Sequence, residues 1–264
     1  MKRIFPLILI ILSLNTAVAQ EDLMDLIDKE SAEESVFTEQ TFKGTRLING
    51  HSIETRDRGI LDVIISHRFG RLNSGAYDLF GLDESNVRLG VDYGLTDRFN
   101  IGVGRNSFEK TYDGFLKYKF LRQRPGSVPV SLVGFSSVAF KTLKTGDPAG
   151  EPDANSRLAY SYQAIIAKKF SPAFSFQISP TLVHRNSVVE EQDPNDIFAL
   201  GAGGRIKLTK RLSLNAEYYY QFNTVENSPM KNSVAIGFDI ETGGHVFQLH
   251  LTNSRAMNEK GFIT

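Results

Sequence analysis

Arg211-Leu-Ser-Leu-Asn-Ala-Glu-Tyr-Tyr-Tyr-Gln-Phe-Asn223 alternates without a break. In an extended chain successive side chains point to opposite faces, so Leu212, Leu214, Ala216, Tyr218, Tyr220 and Phe222 share one face. Ser213, Asn215, Glu217, Tyr219, Gln221 and Asn223 share the other. A period of two with one apolar and one polar face marks a strand whose two sides meet different surroundings.

The same pattern recurs on both sides of this stretch. Val87, Leu89, Val91 and Tyr93 stand against Asn86, Arg88, Gly90 and Asp92. Phe174, Phe176, Ile178 and Leu182 oppose Ser175, Gln177, Ser179, Thr181 and Arg185, and Val234, Ile236, Phe238 and Ile240 oppose Ser233, Gly237, Asp239 and Glu241. About eleven such segments follow Arg58, near 60–69, 86–93, 98–106, 112–121, 130–141, 157–169, 174–185, 196–208, 211–223, 232–241 and 245–253. Many reach the roughly 9–11 residues with which a tilted strand crosses a bilayer.

The connections alternate as well. Gly94–Asp97, Arg124-Pro125-Gly126, Ser171-Pro172-Ala173, Thr209-Lys210-Arg211 and Thr242-Gly243-Gly244 are tight, whereas 70–85, 142–156 and 186–195 are long and rich in Gly, Asn, Asp and Pro. Short turns at one end and longer loops at the other are the habit of outer-membrane barrels, and a soluble sandwich has no reason for it. The fold class expected is therefore all-β, an antiparallel up-and-down transmembrane β-barrel.

The ends agree with export. Lys2 and Arg3, the apolar run Ile4–Leu14 and Ala17-Val18-Ala19 form a signal peptide over 1–19, with cleavage after Ala19. The run is about half of the ~20 residues that a spanning helix needs. The chain has no cysteine, which excludes both a lipoprotein anchor and a disulfide scaffold. Lys plus Arg and Asp plus Glu number 30 each, so no net field draws the chain to nucleic acid. Gln20–Gln40 carries eight acidic residues against Lys29 alone. We read 20–57 as an acidic periplasmic tail with a linker or plug segment, and 58–264 as the barrel.

Strand directions set the strand count. If the first strand starts at the periplasmic end, the eleventh finishes outside, and 253–264 reads as an outer loop with the start of a returning strand. Single-chain bacterial barrels have even strand numbers. The expectation is a barrel of about 12 strands, 11 of them in this chain, with the last in some 15–25 residues beyond Thr264.

With apolar faces outward, the lumen receives Asp62, Arg68, Arg88, Asp92, Lys117, Lys119, Lys141, Lys169, Arg185, Arg205, Lys207, Glu217, Asp239 and Glu241. Mixed charge on one enclosed face suits either an interlocked network of ion pairs or a narrow aqueous channel. Aromatics at segment ends, among them Phe69, Tyr93, Phe170 and Phe222, suit interfacial girdles.

Ile65–Gln123 carries a resemblance. Ser66-His67-Arg68-Phe69-Gly70, Phe80-Gly81-Leu82-Asp83, Val87-Arg88-Leu89-Gly90-Val91-Asp92-Tyr93-Gly94, Ile101-Gly102-Val103-Gly104-Arg105-Asn106 and Leu116-Lys117-Tyr118-Lys119 resemble an uncharacterised family of Gram-negative outer-membrane β-barrel proteins. Lys43-Gly-Thr-Arg-Leu-Ile-Asn-Gly-His51 fits the same family. The resemblance implies a barrel in the outer membrane and no particular reaction or substrate.

Signals for chemistry are weak. Ser66 and His67 are adjacent on a strand and face opposite ways, so they form no dyad. Gly201-Ala-Gly-Gly204 resembles a phosphate loop but matches neither nucleotide fingerprint and lies inside a strand, where close approach of a neighbour explains it better. Asp147, Glu151, Asp153 and Asn155 offer hard oxygens for Ca²⁺ without EF-hand spacing, and a solvated loop is the better reading. No cofactor or catalytic set is expected. The leading role is a narrow pore or conduit, or a structural, partner-binding barrel. The alternatives are an outer-membrane lipid-modifying enzyme and a soluble periplasmic β-protein that carries an apolar ligand. Expected partners are outer-membrane lipid, the barrel-assembly machinery, a small-molecule solute and a periplasmic partner for the acidic tail.

Overall fold

The computed structural model describes residues 37–146, 150–188, 190, 192–224 and 230–264. The signal peptide and most of the acidic segment lie outside these residues. From Gln40 to Thr264 the chain is one compact unit.

The unit is a single meander of eleven antiparallel strands in sequence order. They are β1 (Leu61–Phe69), β2 (Ser85–Gly94), β3 (Phe99–Asn106), β4 (Thr111–Leu121), β5 (Ser131–Lys141), β6 (Leu158–Lys169), β7 (Phe174–Arg185), β8 (Asp196–Lys207), β9 (Leu212–Gln221), β10 (Ser233–Glu241) and β11 (Val246–Thr252). Each expected strand is found where the alternation placed it. The only α-helix among the described residues, α1, spans Glu259–Ile263.

Three tight turns share one device. A hydroxyl at Thr96, Ser171 or Thr209 accepts hydrogen bonds from the backbone N–H groups two and three residues on, for example 3.0 Å from each of Phe99, Phe174 and Leu212. Such turns settle locally which strands become neighbours.

The faces follow the period. Val63 is 68% exposed and Ile236 49%, whereas Arg88 and Lys117 are 1% exposed on the opposite side. The sheet thus turns its apolar side outward and its charged side inward, the reverse of what a soluble carrier of apolar ligands requires. The described strand edges β1 and β11 are not hydrogen-bonded to each other, so no backbone ladder closes the sheet.

Two segments occupy the inward side. Residues 41–57 enter beside the short turns, where the Gly59 N–H donates to the Gly94 carbonyl (2.8 Å) and Lys43 pairs with Glu241. They form a hairpin bridged at Arg46 and His51, with a tip closed by Leu47 N–H on the Gly50 carbonyl (2.9 Å). The second segment, residues 254–264, was expected as an outer loop. It folds inward instead, burying Ala256, Met257, Phe262 and Ile263. The reason is hydrophobic: these four side chains sit on a stretch without strand alternation, and water outside offers them nothing.

Two apolar clusters hold the segments. Phe42, Leu47 and Ile53 pack with Phe115, Val133, Phe135, Ile165 and Ala167 of the wall, and Phe262 and Ile263 pack with Val183, Ile197, Ala199 and Tyr219.

Candidate functional site

The inward face is a mould for the hairpin. Glu217 on β9 lies under the tip, and its carboxylate accepts from the backbone N–H groups of Ile48 (3.2 Å), Asn49 (2.7 Å) and Gly50 (3.3 Å). Successive N–H groups converging on one anion form a nest, here filled by a side chain of the wall. Asp92 on β2 accepts from the Thr45 hydroxyl (2.9 Å), and Lys117 on β4 donates to the carbonyls of Glu54 (2.5 Å) and Thr45 (3.3 Å). Gln177 on β7 donates to the His51 carbonyl (2.9 Å), and Gln248 on β11 to that of Leu47 (3.0 Å). Thus seven of the hairpin's backbone groups, the N–H groups of 48–50 and the carbonyls of 45, 47, 51 and 54, find partners on the wall.

Glycines make the room. A Cβ on Gly90 or Gly104 would collide with the Arg88 guanidinium, which reaches across β3 to Asp113 on β4 (Nε to Oδ1 3.0 Å). A Cβ on Gly203 would strike Leu47, and one on Gly201 the Tyr219 ring. The Gly201–Gly204 run is therefore a seat for the hairpin and for an aromatic neighbour, with no phosphate loop.

Asn49 at the tip touches both ends of the sheet. Its Oδ1 accepts from Arg68 on β1 (2.5 Å), and its Nδ2 donates to Ser233 on β10 (3.3 Å) and Thr252 on β11 (3.1 Å). The C-terminal segment meets the hairpin at Glu259, whose Oε1 lies 3.6 Å from both Arg46 Nη1 and His51 Nε2. His51 is enclosed between Phe115 and Phe135, with ring centroids 4.5 and 4.4 Å away.

The lumen candidates divide into groups. Arg68, Arg88, Asp92, Lys117 and Glu217 surround the hairpin. Arg205, Asp239 and Glu241 gather near its entry with Glu54 and Lys43, and Asp239 also accepts from Gln248 (2.9 Å). Lys119, Lys169 and Lys207 lie on the inward face towards the short turns, and Asp62 pairs there with Arg56. Two candidates serve the other end. Arg185 donates to the Pro194 carbonyl of the β7–β8 loop (2.7 Å), and Lys141 reaches Glu109 in the β3–β4 loop (2.6 Å). Each stands on the inward face at the mouth end of its strand. Of the two readings of these charges, an ion-pair network has Arg88–Asp113 within the wall, whereas Asp92, Lys117, Glu217 and Glu241 hold the hairpin segment. Asp113, Asn49, His51 and Glu259 were missed. Asp113 was legible, since it shares a face with Lys117 and Lys119.

Outside the spanning segments, Glu109 links Lys141 to Lys260 of α1 (Oε2 to Nζ 3.3 Å). Burial alone would push its carboxyl up, but Lys260 and Lys141 outweigh that and hold it below the usual range. In the β5–β6 loop, Glu151 accepts from Thr145 N–H (2.6 Å) and pairs with Arg157, and Asp153 accepts from Ser156 N–H (2.9 Å). Their oxygens build the loop; Asp147, the fourth-ligand candidate there, lies outside the described residues. Ser66 points inward and His67 outward onto Phe69, while His184 pairs with Asp196 on the outer surface (2.7 Å).

Against known proteins, residues 42–264 match a family model described as "Membrane bound beta barrel domain (DUF5777)", a domain of unknown function. No curated protein matches the chain.

Proposed function

The chain belongs to this family of membrane-bound β-barrel domains, and from that premise we propose that it is an outer-membrane barrel sealed by its own chain. On this reading it is exported by a leader cleaved after Ala19, and it works as a structural or partner-binding barrel. Solute passes only when the hairpin or the C-terminal segment moves aside. The observation that carries this is the filled interior: Glu217 grips the hairpin tip with three backbone N–H groups while Glu259 approaches the same hairpin from the other segment. A standing aqueous channel would leave the three tip N–H groups to water, whereas here all three find an acceptor on the wall.

The outward apolar belt fits lipid, and the barrel-assembly machinery is the expected route into the membrane. The acidic 20–40 segment precedes the hairpin in the sequence and is the natural place for a periplasmic partner. The test is conductance of the purified chain in a planar bilayer. Silence or rare brief openings are expected, with frequent opening after Glu217→Ala. Large, stable conductance from the unaltered chain would overturn the reading.

A further inference from the structure

The unpaired edges of the sheet define what fits between them. Successive strands of the meander are antiparallel, so β1 and β11, both odd in the order, run the same way. Closing the sheet by joining them directly would need a parallel ladder. The ladder is absent, and the two edges instead reach inward to a common point: Arg68 and Thr252 both bond to Asn49 at the hairpin tip. At the long-loop end Arg68 also donates to the Ser254 carbonyl (2.8 Å), and Arg255 pairs with Glu84 (2.8 Å). Side chains and the hairpin hold the edges, and no edge amide of one strand meets a carbonyl of the other. His250 adds a second sign, because its Nδ1 is buried on the inner side of β11 with no hydrogen-bond partner among the described residues.

An unpaired edge facing hydrocarbon is costly, since each unsatisfied N–H or C=O there loses its partner outright. We propose that the gap between β1 and β11 is a strand-acceptor site that takes one extended polypeptide segment, running from the long-loop end towards the short turns. Such a strand is antiparallel to both edges, pairs with both, and brings the wall to an even number. Direction rules out a second copy as the occupant. Two copies inserted the same way present only edges that run the same way, so copy-to-copy pairing is parallel throughout. The flanking faces state the pattern the occupant needs. Val63, Ile65 and Leu249 stand exposed on the outer side, whereas Arg68, Gln248 and His250 face inward. Alternate residues of the occupant are therefore apolar outward, and small or polar inward beside Asn49. Its paired length is set by the edges, nine residues in β1 and seven in β11.

This inference rests on the sheet edges and stands whether or not the lumen is sealed. The probe is a synthetic peptide copying β10 (Ser233–Glu241), which has the required alternation, added to the purified chain in lipid nanodiscs. Backbone amide exchange of β1 and β11 is followed by mass spectrometry. The expected result is fast exchange at both edges without peptide and protection of both, by at least tenfold, with it. A peptide of the same composition in scrambled order should leave both edges fast. Edges already protected in the peptide-free chain would mean direct parallel closure and would overturn the proposal. Protection of neither edge, or equal protection by the scrambled peptide, would overturn it too. A second readout uses the absence of cysteine. Edge separation across an inserted strand is about 9–10 Å, beyond disulfide reach. Ser66→Cys paired with Gln248→Cys or with His250→Cys should therefore fail to cross-link in native membranes, and an efficient bond in either pair contradicts the proposal.

Discussion

Replacing Glu217 with alanine removes the acceptor on which the hairpin tip depends. Three backbone N–H groups, those of Ile48, Asn49 and Gly50, would face a buried void. A hydrogen bond to a charged group contributes about 1.5–3 kcal/mol net, and a stranded buried donor costs about 1–3 kcal/mol. The three bonds share one carboxylate and some water will enter, so we set the loss at roughly 3–6 kcal/mol in place of the sum. This shifts the docked-to-undocked balance of the hairpin by roughly a hundredfold to ten-thousandfold. The wall keeps its own ladders, so the effect falls on residues 41–57 and leaves the sheet folded. Trypsin reads it directly. Lys43 and Arg46 are enclosed and paired with Glu241 and Glu259 in the intact protein. In Glu217→Ala both should become cleavage sites while the heat-modifiable gel mobility of the barrel is retained. Glu217→Gln, which keeps one oxygen, should fall between. Equal cleavage of the intact and alanine proteins, both with folded walls, would refute the reasoning.

Three further expectations follow from named contacts. Gly104→Leu sets a side chain into the Arg88 guanidinium and parts it from Asp113; a broken buried pair costs about 3–5 kcal/mol, so assembly yield and melting temperature should drop, whereas Gly126→Ala in an open turn should matter far less. Ile236→Arg places a charge on the outward face of β10, at up to ~2–4 kcal/mol near the bilayer midplane, and should slow assembly into membranes; a tolerance equal to that of Ile236→Leu would speak for a water-facing surface. Because Glu109 is held below the ordinary carboxylate value, its tie to Lys260 is fully present above about pH 4.3 and is lost as pH falls through the lower folded value. Proteolytic release of the C-terminal segment should rise in that acid range, and Glu109→Gln should show the same rise already at neutral pH.

The wall was legible in the sequence because its information is local. A strand such as Leu212–Gln221 declares its faces every second residue, and the tight turns declare themselves with Thr96, Ser171 and Thr209. The inward charges were legible for the same reason. Their partners were not, since Glu217 meets residues some 170 positions away, and no periodicity spans that distance. Charges on one face say that something must neutralise them, and leave open whether that is the next strand, water or a chain segment. The Asn49-Gly50 pair beside Leu47 is a turn signal that suits a hairpin. Strand direction by itself sends 253–264 outward, and burial of its apolar side chains overrides it. Ala256-Met257 and Phe262-Ile263, apolar pairs in a stretch assigned to water, were the available signal that it folds back.

The central claim, that the lumen is occupied by the chain itself, is tested most directly by a bond between hairpin and wall. Thr45 Oγ1 lies 2.9 Å from Asp92 Oδ2, and the chain has no other cysteine to compete. Thr45→Cys with Asp92→Cys, treated in intact outer membranes with a short thiol-specific bis-methanethiosulfonate linker before any detergent is added, should give a near-complete cross-link, seen by mass spectrometry as a single peptide joining 45 to 92. Two free thiols at these positions, both labelled by a small water-soluble maleimide in a folded barrel, would contradict the account.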